Sequence, residues 1–269
     1  MGRTVAVPKA PQRIISMSPA VTEILYSLGL GERVVARTDF DDYPPEVKDK
    51  PSIGGFSDPN FEKIISLSPD LVIASNLQWK DIFTSLEEKG VAVLVIDPKT
   101  IDQVFDAITL VGKAAGVSDK AAEVVKGLRT RVDAVTKKTS GLTAEQRPRV
   151  LTIIWHEPLM SGGQGTLHDE LIKTAGGVNV GGELTGYAEI SLEAVVNANP
   201  QVIIVGVGMG EGADAPFKFA QNDERLKGTD ARVNNRVYSI DSNLSDRPGP
   251  RVIDALEQFA RLIHPELFK

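Results

Sequence analysis

Cysteine is absent from this chain of 269 residues, and histidine occurs only three times. Without cysteine, the chain has no disulfide, thiolate metal site or cysteine nucleophile. His156, His168 and His264 include no pair at the i, i+4 spacing of a helical zinc site. The G-x-S-x-G pattern of a serine hydrolase is also missing. We therefore predict no catalytic residue, no metal site and no resident cofactor.

Long apolar runs and dense basic runs are missing as well. No stretch approaches the roughly 18 consecutive apolar residues of a membrane-spanning helix. The first twelve residues lack the apolar segment of a signal peptide, so we expect a mature form without its signal segment. The net charge is −6, which makes nucleic acid an unexpected partner. With 42% apolar residues, the chain is long enough for two modest cores.

Short apolar runs alternate with segments of helical periodicity. A helix is predicted from about residue 20 to residue 28, where Gly29 ends it. Strands that alternate with helices form mostly parallel sheets, covered on both faces. The sequence therefore predicts an α/β fold. Its predicted strands are residues 13–17, 34–37, 71–74, 91–96, 149–154, 202–207 and 237–240.

An ungapped internal repeat relates residues 60–74 to residues 191–205. Each copy has the pattern of a short helix, a turn with proline and a buried strand, and each is followed by a second strand that ends in Ile-Asp. Two copies of one plan indicate two similar lobes. We place the N-terminal lobe at residues 1–99 and the C-terminal lobe at residues 141–269. Residues 100–140 between them show helical spacing, which predicts a connecting helix.

The glycine-rich segment 206–212 follows a predicted strand but lacks the G-x-G-x-x-G spacing of a dinucleotide site. We interpret it as a loop at the rim of the sheet. A two-lobed enzyme, such as a nucleotide-sugar transferase or a dehydrogenase, would need a phosphate loop, an acid and a base in one cleft. The sequence shows no such set, which leaves an enzyme as a remote alternative.

Aromatic residues are few, at 6% of the chain, but several follow predicted strands or lie in loops. The carboxyl ends of parallel strands line the crevice where α/β proteins bind ligands, and aromatic rings there suit a large planar ligand. Each ring could instead pack in the core or anchor a loop, which we favour for Phe40 and Trp79. His156, next to Trp155, fits either a hydrogen-bonded loop residue or a ligand contact. The aromatic set is Phe40, Tyr43, Phe56, Trp79, Trp155 and Tyr187.

Several motifs together resemble the substrate-binding proteins of ABC importers for cobalamin, haem and iron-siderophores, with the cobalamin branch closest. The motifs are residues 13–23, 42–46, 53–56, 60–62, 190–193 and 246–252. The resemblance covers nearly the whole chain. It implies two Rossmann-like lobes with mostly parallel sheets, joined by one long connecting helix, as in helical-backbone periplasmic binding proteins.

The resemblance also implies a ligand groove between the lobes. Phe56 and Tyr187 stand where the cobalamin branch has tryptophan, which reduces the contact area, and Trp155 could compensate for it. Arg247 would hydrogen-bond amides or carboxylates at the ligand's edge. The implied first-lobe wall is Ala20, Tyr43 and Phe56, and the second-lobe wall is Ile154, Trp155, His156, Tyr187, Asn243 and Arg247.

Cobalamin or a related corrinoid is the first expectation for the ligand, which would be transported and not retained as a cofactor. Haem is the nearest alternative, with Tyr43, Tyr187 or His156 as candidate iron ligands. A ferric siderophore is the third. We expect a monomer in the periplasm or on the outer face of the cytoplasmic membrane, free or lipid-anchored.

The implied partner is a membrane permease dimer with its ATPase, which the family meets through one glutamate on each lobe. Glu62 and Glu193 occupy the matching positions, and they are equivalent within the repeat. This equivalence suits a two-lobed protein that meets a symmetric dimer. The alternative is that both glutamates only stabilise helix N-termini through the helix dipole.

Overall fold

A computed structural model describes residues 5–55, 58–75, 80–208 and 212–269, with the backbone alone at Lys80. The chain forms two compact units, which we call the first and second lobes. The first comprises Met1–Pro98 with Asp102–Leu128, and the second comprises Lys99–Ile101 with Arg129–Lys269. The lobe boundaries drawn from the sequence, at residues 99 and 141, remain a prediction.

The first lobe contains a parallel four-stranded sheet. Its strands are β1 (Ile14–Ser16), β2 (Val34–Ala36), β3 (Leu71–Ala74) and β4 (Ala92–Val95), in the order β2-β1-β3-β4. Helices α1 (Pro19–Ser27), α2 (Phe61–Ser66) and α3 (Lys80–Glu88) lie between the strands, with short 3-10 helices at Gly31–Arg33 and Pro45–Asp49. The predicted connector contains two helices, α4 (Ile101–Ala114) and α5 (Ser118–Thr139), which are separated at Gly116.

The second lobe contains a corresponding parallel sheet and a small antiparallel one. The parallel sheet has the order β11-β10-β5-β8, and the small sheet has the order β6-β7-β9. The strands are β5 (Arg149–Ile153), β6 (Trp155–His156), β7 (Leu159–Gly162), β8 (Val178–Asn179), β9 (Tyr187–Glu189), β10 (Val202–Val207) and β11 (Val237–Asp241). The helices are α6 (Leu167–Thr174), α7 (Leu192–Ala198), α8 (Ala215–Asn222), α9 (Asp230–Val233), α10 (Ser242–Ser245) and α11 (Val252–Ile263), with a 3-10 helix at Glu224–Leu226.

All seven predicted strands are present, and the predicted α/β fold with parallel sheets is confirmed. The central strands are largely buried, which explains their nearly continuous apolar sequences. Val72 and Ile203, on β3 and β10, are both completely buried. The small antiparallel sheet was not predicted. None of the described helices has the length and apolar character needed to cross a membrane.

The two lobes repeat one strand order, which confirms the internal repeat. Strands β1, β2, β3 and β4 occupy the positions of β5, β8, β10 and β11. Helices α2 and α7 each precede the second central strand, and each ends at a residue in the left-handed conformation. These residues, Ser68 and Asn199, occupy matching repeat positions and have the same φ of 46°.

One arginine in each lobe binds this helix end. The Arg13 Nε–H donates to the carbonyl oxygens of Leu67 and Ser68, at 3.0 and 3.1 Å. The Arg149 Nε–H donates to those of Ala198 and Asn199, at 2.8 and 3.0 Å. Each guanidinium thereby satisfies carbonyls that the helix leaves without an intrahelical partner. We call this pair of contacts the arginine clamps.

We predict that Ser68→Asn raises the free energy of unfolding by about 0.5 kcal/mol, because asparagine tolerates the left-handed conformation better than serine. The reverse change, Asn199→Ser, should lower it by about 1.5 kcal/mol, because it also removes the 2.8 Å hydrogen bond from the Asp230 backbone N–H. Urea unfolding of the two variants measures both effects. If both variants changed the free energy of unfolding by the same amount in the same direction, the left-handed backbone conformation would not determine the stability of these turns.

Candidate functional site

Helix α1 holds Ala20 at the carboxyl end of the first-lobe sheet. The Ser18 side chain caps the helix by accepting from the Val21 N–H, and Pro19 occupies the first turn. Gly29, with a φ of 73°, follows its last turn. Ala20 is 5% exposed. The predicted first-lobe wall therefore begins directly after the central strand β1.

The loop after β2 carries Tyr43, whose side chain is 44% exposed. Phe40 in the same loop is 59% exposed, so it is not a core residue, which was one of the two roles we favoured for it. Phe56 and Trp79 lie outside the described residues. The described part of the first-lobe wall thus consists of Ala20 and Tyr43.

A buried carboxyl group, Asp41, joins this loop to α1. It accepts hydrogen bonds from the hydroxyl groups of Thr22 on α1 and of Thr38 in the loop, and it is 1% exposed. Burial raises the pKa of Asp41 to about 6, although both threonine hydrogen bonds favour the ionised form. Asp41 was missed in the sequence because it lies beside Asp39 and Asp42, and no local pattern shows which of the three is buried.

The small antiparallel sheet carries the aromatic residues of the second lobe. Trp155 on β6 is 42% exposed, and Tyr187 on β9 is 51% exposed. Strand β7 lies between them, with Met160 opposite Trp155 and Gly162 opposite Tyr187. The ring of Trp155 is oriented by a 3.0 Å hydrogen bond from its Nε1–H to the Glu157 carbonyl.

His156 lies between two aromatic rings in this region. Its ring centroid is 5.2 Å from that of Trp155 and 5.7 Å from that of Phe219 on α8. The His156 Nδ1 atom is buried and has no hydrogen-bond partner among the described residues. Buried polar atoms are normally paired. Ile154, directly before β6, is partly buried, and its N–H donates to the Met160 carbonyl at 3.0 Å.

Tyr187 makes a hydrogen bond that the sequence did not predict. Its hydroxyl oxygen is 3.3 Å from Nδ1 of His168 on α6, and the two rings meet edge to face at 5.7 Å and 81°. The His168 Nε2 atom is 3.1 Å from a carboxylate oxygen of Asp246. Its partial burial and the negative charge of Asp246 raise the pKa of Tyr187 above its usual range, which is already well above neutral pH, so the phenol is protonated.

Asn243 and Arg247 lie on and directly after α10. The Asn243 N–H donates to an Asp241 carboxylate oxygen at 2.9 Å. Its side-chain Oδ1 is buried without a hydrogen-bond partner in the described part of the chain. Arg247 is 8% exposed and is the next residue after Asp246. Through His168 and Asp246, the structure therefore links Tyr187 to the chain segment that contains Arg247.

Glu62 and Glu193 occupy the first turns of α2 and α7. Asn60 caps the first helix and Ser191 caps the second, each accepting from a backbone N–H three residues on, at 2.9 and 3.1 Å. Both glutamates are exposed. The two carboxylates thus have the same local geometry in the two lobes.

Among the described residues, no group of three or more histidine, aspartate or glutamate side chains could hold a metal ion. The glycine-rich segment begins at the end of β10, and Gly208 has a φ of 99°. Residues 209–211 of that segment lie outside the described ranges.

Comparison with known proteins gives matches over nearly the whole chain. A family model for periplasmic binding proteins matches residues 14–244. YvrC, an uncharacterized ABC transporter substrate-binding lipoprotein of Bacillus subtilis, is 31% identical over 270 residues, covering 98% of this chain and 84% of that protein. The periplasmic vitamin B12 binding protein BtuF of Vibrio cholerae is 27% identical with a TM-score of 0.80, covering 96% of this chain and 98% of that one. The periplasmic heme-binding protein RhuT from Roseiflexus sp. RS-1 is 25% identical with a TM-score of 0.83, covering 94% and 98%.

We predict that Asp41 makes the stability of the protein fall as the pH rises from about 4 to about 6. In this window the unfolded chain ionises Asp41 and the folded one does not, so ionisation favours unfolding. The shift from 3.8 to about 6 corresponds to a loss of about 3 kcal/mol. Urea unfolding between pH 4 and pH 7 measures this slope, which Asp41→Asn should remove.

Asp39→Asn is the matched control, because Asp39 is an exposed carboxylate in the same loop. It should leave the slope unchanged. An Asp41→Asn variant with the wild-type slope would contradict the assignment.

Proposed function

The chain belongs to the periplasmic binding protein family, and we propose that it is the substrate-binding protein of an ABC importer whose ligand is cobalamin or a related corrinoid. The observation that carries this proposal is the exposure of Trp155 and Tyr187 on one small sheet, in a chain similar over 96% of its length to a vitamin B12 binding protein. The importer class carries cobalamin, haem or ferric siderophores. The relatives are binding proteins of transport systems, so a two-lobed enzyme receives no support.

The side chains predicted to contact the ligand, taken in each lobe by itself, suit a large macrocycle with polar side groups. Exposed rings at Tyr43, Trp155 and Tyr187 supply flat apolar surface. The buried Oδ1 of Asn243 has no partner among the described residues, so a ligand N–H that reached it would satisfy an unpaired acceptor. Arg247 supplies several donors. Corrinoids carry many primary amides around their ring, which both donate and accept hydrogen bonds.

Haem is the second candidate, because the haem-binding relative matches the fold as well as the B12 binding protein does. Iron ligation by Tyr187 would require loss of the phenolic proton and of its contact with His168. Tyr43 and His156 are the other candidates for iron ligands. His156 has a buried Nδ1 with no partner in the described ranges, which is the specific observation in favour of haem.

The partner is a membrane permease with its ATPase, and the proposed docking contacts are Glu62 and Glu193. Support comes from their matching positions in the repeat, their exposure and the side-chain cap at the start of each helix. One carboxylate on each lobe could pair with equivalent basic residues of a permease dimer. This placement requires an extracytoplasmic location, in free or lipid-anchored form, and a monomer leaves both glutamates accessible.

We predict that the protein binds cyanocobalamin with one-to-one stoichiometry in a calorimetric titration run beside hemin and a ferric hydroxamate. Tyr187→Ala should weaken cyanocobalamin binding by about tenfold to a hundredfold, because it removes a large ring from the contact. Val233→Ala is the control, since Val233 is 66% exposed on α9 and is not part of the predicted wall. Binding of hemin alone would establish the haem alternative, and binding of none of the three would reject the ligand class.

We predict that Glu62→Gln and Glu193→Gln each reduce ligand uptake into proteoliposomes containing the cognate permease and ATPase, and that the double variant reduces it further. Ligand affinity should not change, because neither residue belongs to the predicted walls. Glu183→Gln, at an exposed second-lobe position outside α7, is the matched control. Normal uptake by the double variant would leave the glutamates with a role at the helix N-termini only.

A further inference from the structure

Tyr187 is half-exposed, and the two groups behind it are much less exposed. His168 on α6 is 4% exposed, and the side chain of Asp246, at the end of α10, is 24% exposed. Ser245 donates from its hydroxyl to the same Asp246 oxygen that faces His168, at 2.9 Å. Residues on or next to three separate elements, β9, α6 and α10, therefore form a chain of contacts from a phenol to an imidazole to a carboxylate.

The donors and acceptors that each of these groups can offer determine which atom donates in each hydrogen bond. An ionised carboxylate can only accept, so the 3.1 Å contact requires the His168 proton to be on Nε2. A neutral imidazole has one N–H, which leaves Nδ1 as an acceptor. The 3.3 Å contact between Nδ1 and the Tyr187 oxygen is then a hydrogen bond that the phenol donates. Burial and the charge of Asp246, which raise the pKa of Tyr187, keep that proton on the phenol.

We propose that His168 and Asp246 are positioning residues that direct the phenolic proton of Tyr187 inward, so that its oxygen faces the ligand as a hydrogen-bond acceptor. The proposal rests on the proposed function, in which Tyr187 belongs to the ligand wall. It makes Tyr187 a determinant of specificity that favours a ligand N–H over a ligand carboxylate at this point.

The predicted discrimination follows from the difference between an amide and a carboxylate. A primary amide at the edge of a corrinoid can donate an N–H to the Tyr187 oxygen. An ionised carboxylate offers only acceptors, and the phenol has no second proton to give it. A polar group left without a partner in a binding site weakens the complex more than a hydrogen bond strengthens it.

The proton arrangement can be tested without any ligand. Nitrogen-15 NMR of the histidine-labelled protein at pH 7.5 should show one His168 proton, on Nε2, and an unprotonated Nδ1. Loss of the signal in His168→Asn assigns it, and His156→Asn and His264→Asn assign the other two rings, so that His168 is identified even if its own variant does not fold. A proton on Nδ1, alone or together with one on Nε2, would overturn the proposal.

The recognition role can be tested with ligands that differ by one group. Cyanocobalamin is titrated beside its separate monocarboxylic acids, in each of which one propionamide is replaced by a carboxylate. The wild-type protein should bind at least one of these acids about tenfold more weakly than cyanocobalamin. Tyr187→Phe should reduce this difference, because it weakens the binding of the amide ligand only. His168→Phe should also reduce it, because the phenol of Tyr187 can then turn its proton outward, toward a ligand carboxylate.

Tyr238→Phe is the matched control, because it removes a phenol from β11 in the same lobe. It should retain the wild-type difference. Equal affinity of wild type and Tyr187→Phe for every one of these ligands would overturn the recognition role. If the wild-type protein binds no corrinoid, the proposed function and the recognition role are both rejected, whereas the NMR result alone decides the direction of the proton.

Discussion

Both lobes depend on the arginine clamps, Arg13 and Arg149, each of which holds the end of a short helix against the start of the first central strand. The helices concerned, α2 and α7, have six and seven residues, too few to be stable alone. A guanidinium that binds two carbonyls at the helix end supplies charge-assisted hydrogen bonds. The clamps therefore fix the C-terminal end of each helix, while the caps Asn60 and Ser191 fix its start, where the glutamate lies in the first turn.

Much of the fold could be predicted because its signals are local and strong. Buried parallel strands have nearly continuous apolar sequences, and the repeat shows that two such sheets share one plan. The small sheet of β6, β7 and β9 was missed because strands of two to four residues are too short for alternation to be visible. Asp41, His168 and Asp246 were missed because their roles depend on burial and on contacts between residues far apart in the sequence. The spacing of residues along the chain shows neither.

The proposed ligand contacts are of two kinds with different consequences. Exposed rings such as Trp155 contribute area, which any large planar ligand can use. The polar groups select among such ligands, because a buried acceptor or donor must be matched. The aromatic residues, which are visible in the sequence, could therefore predict only the class of ligand. In the proposed function, the choice within that class would depend on polar atoms such as Asn243 Oδ1 and the Tyr187 oxygen, whose surroundings only the fold defines.

Trp155 and Tyr187 sit on strands that belong to the small antiparallel sheet and not to the parallel sheet of the second lobe. Substitutions on β6 and β9 can alter the surface offered to a ligand while the central strands keep their packing. Such a separation favours evolvability, since new ligand preferences can arise with little loss of stability. It also marks these two strands as the segments to randomise in a library that seeks a binding protein for a different macrocycle.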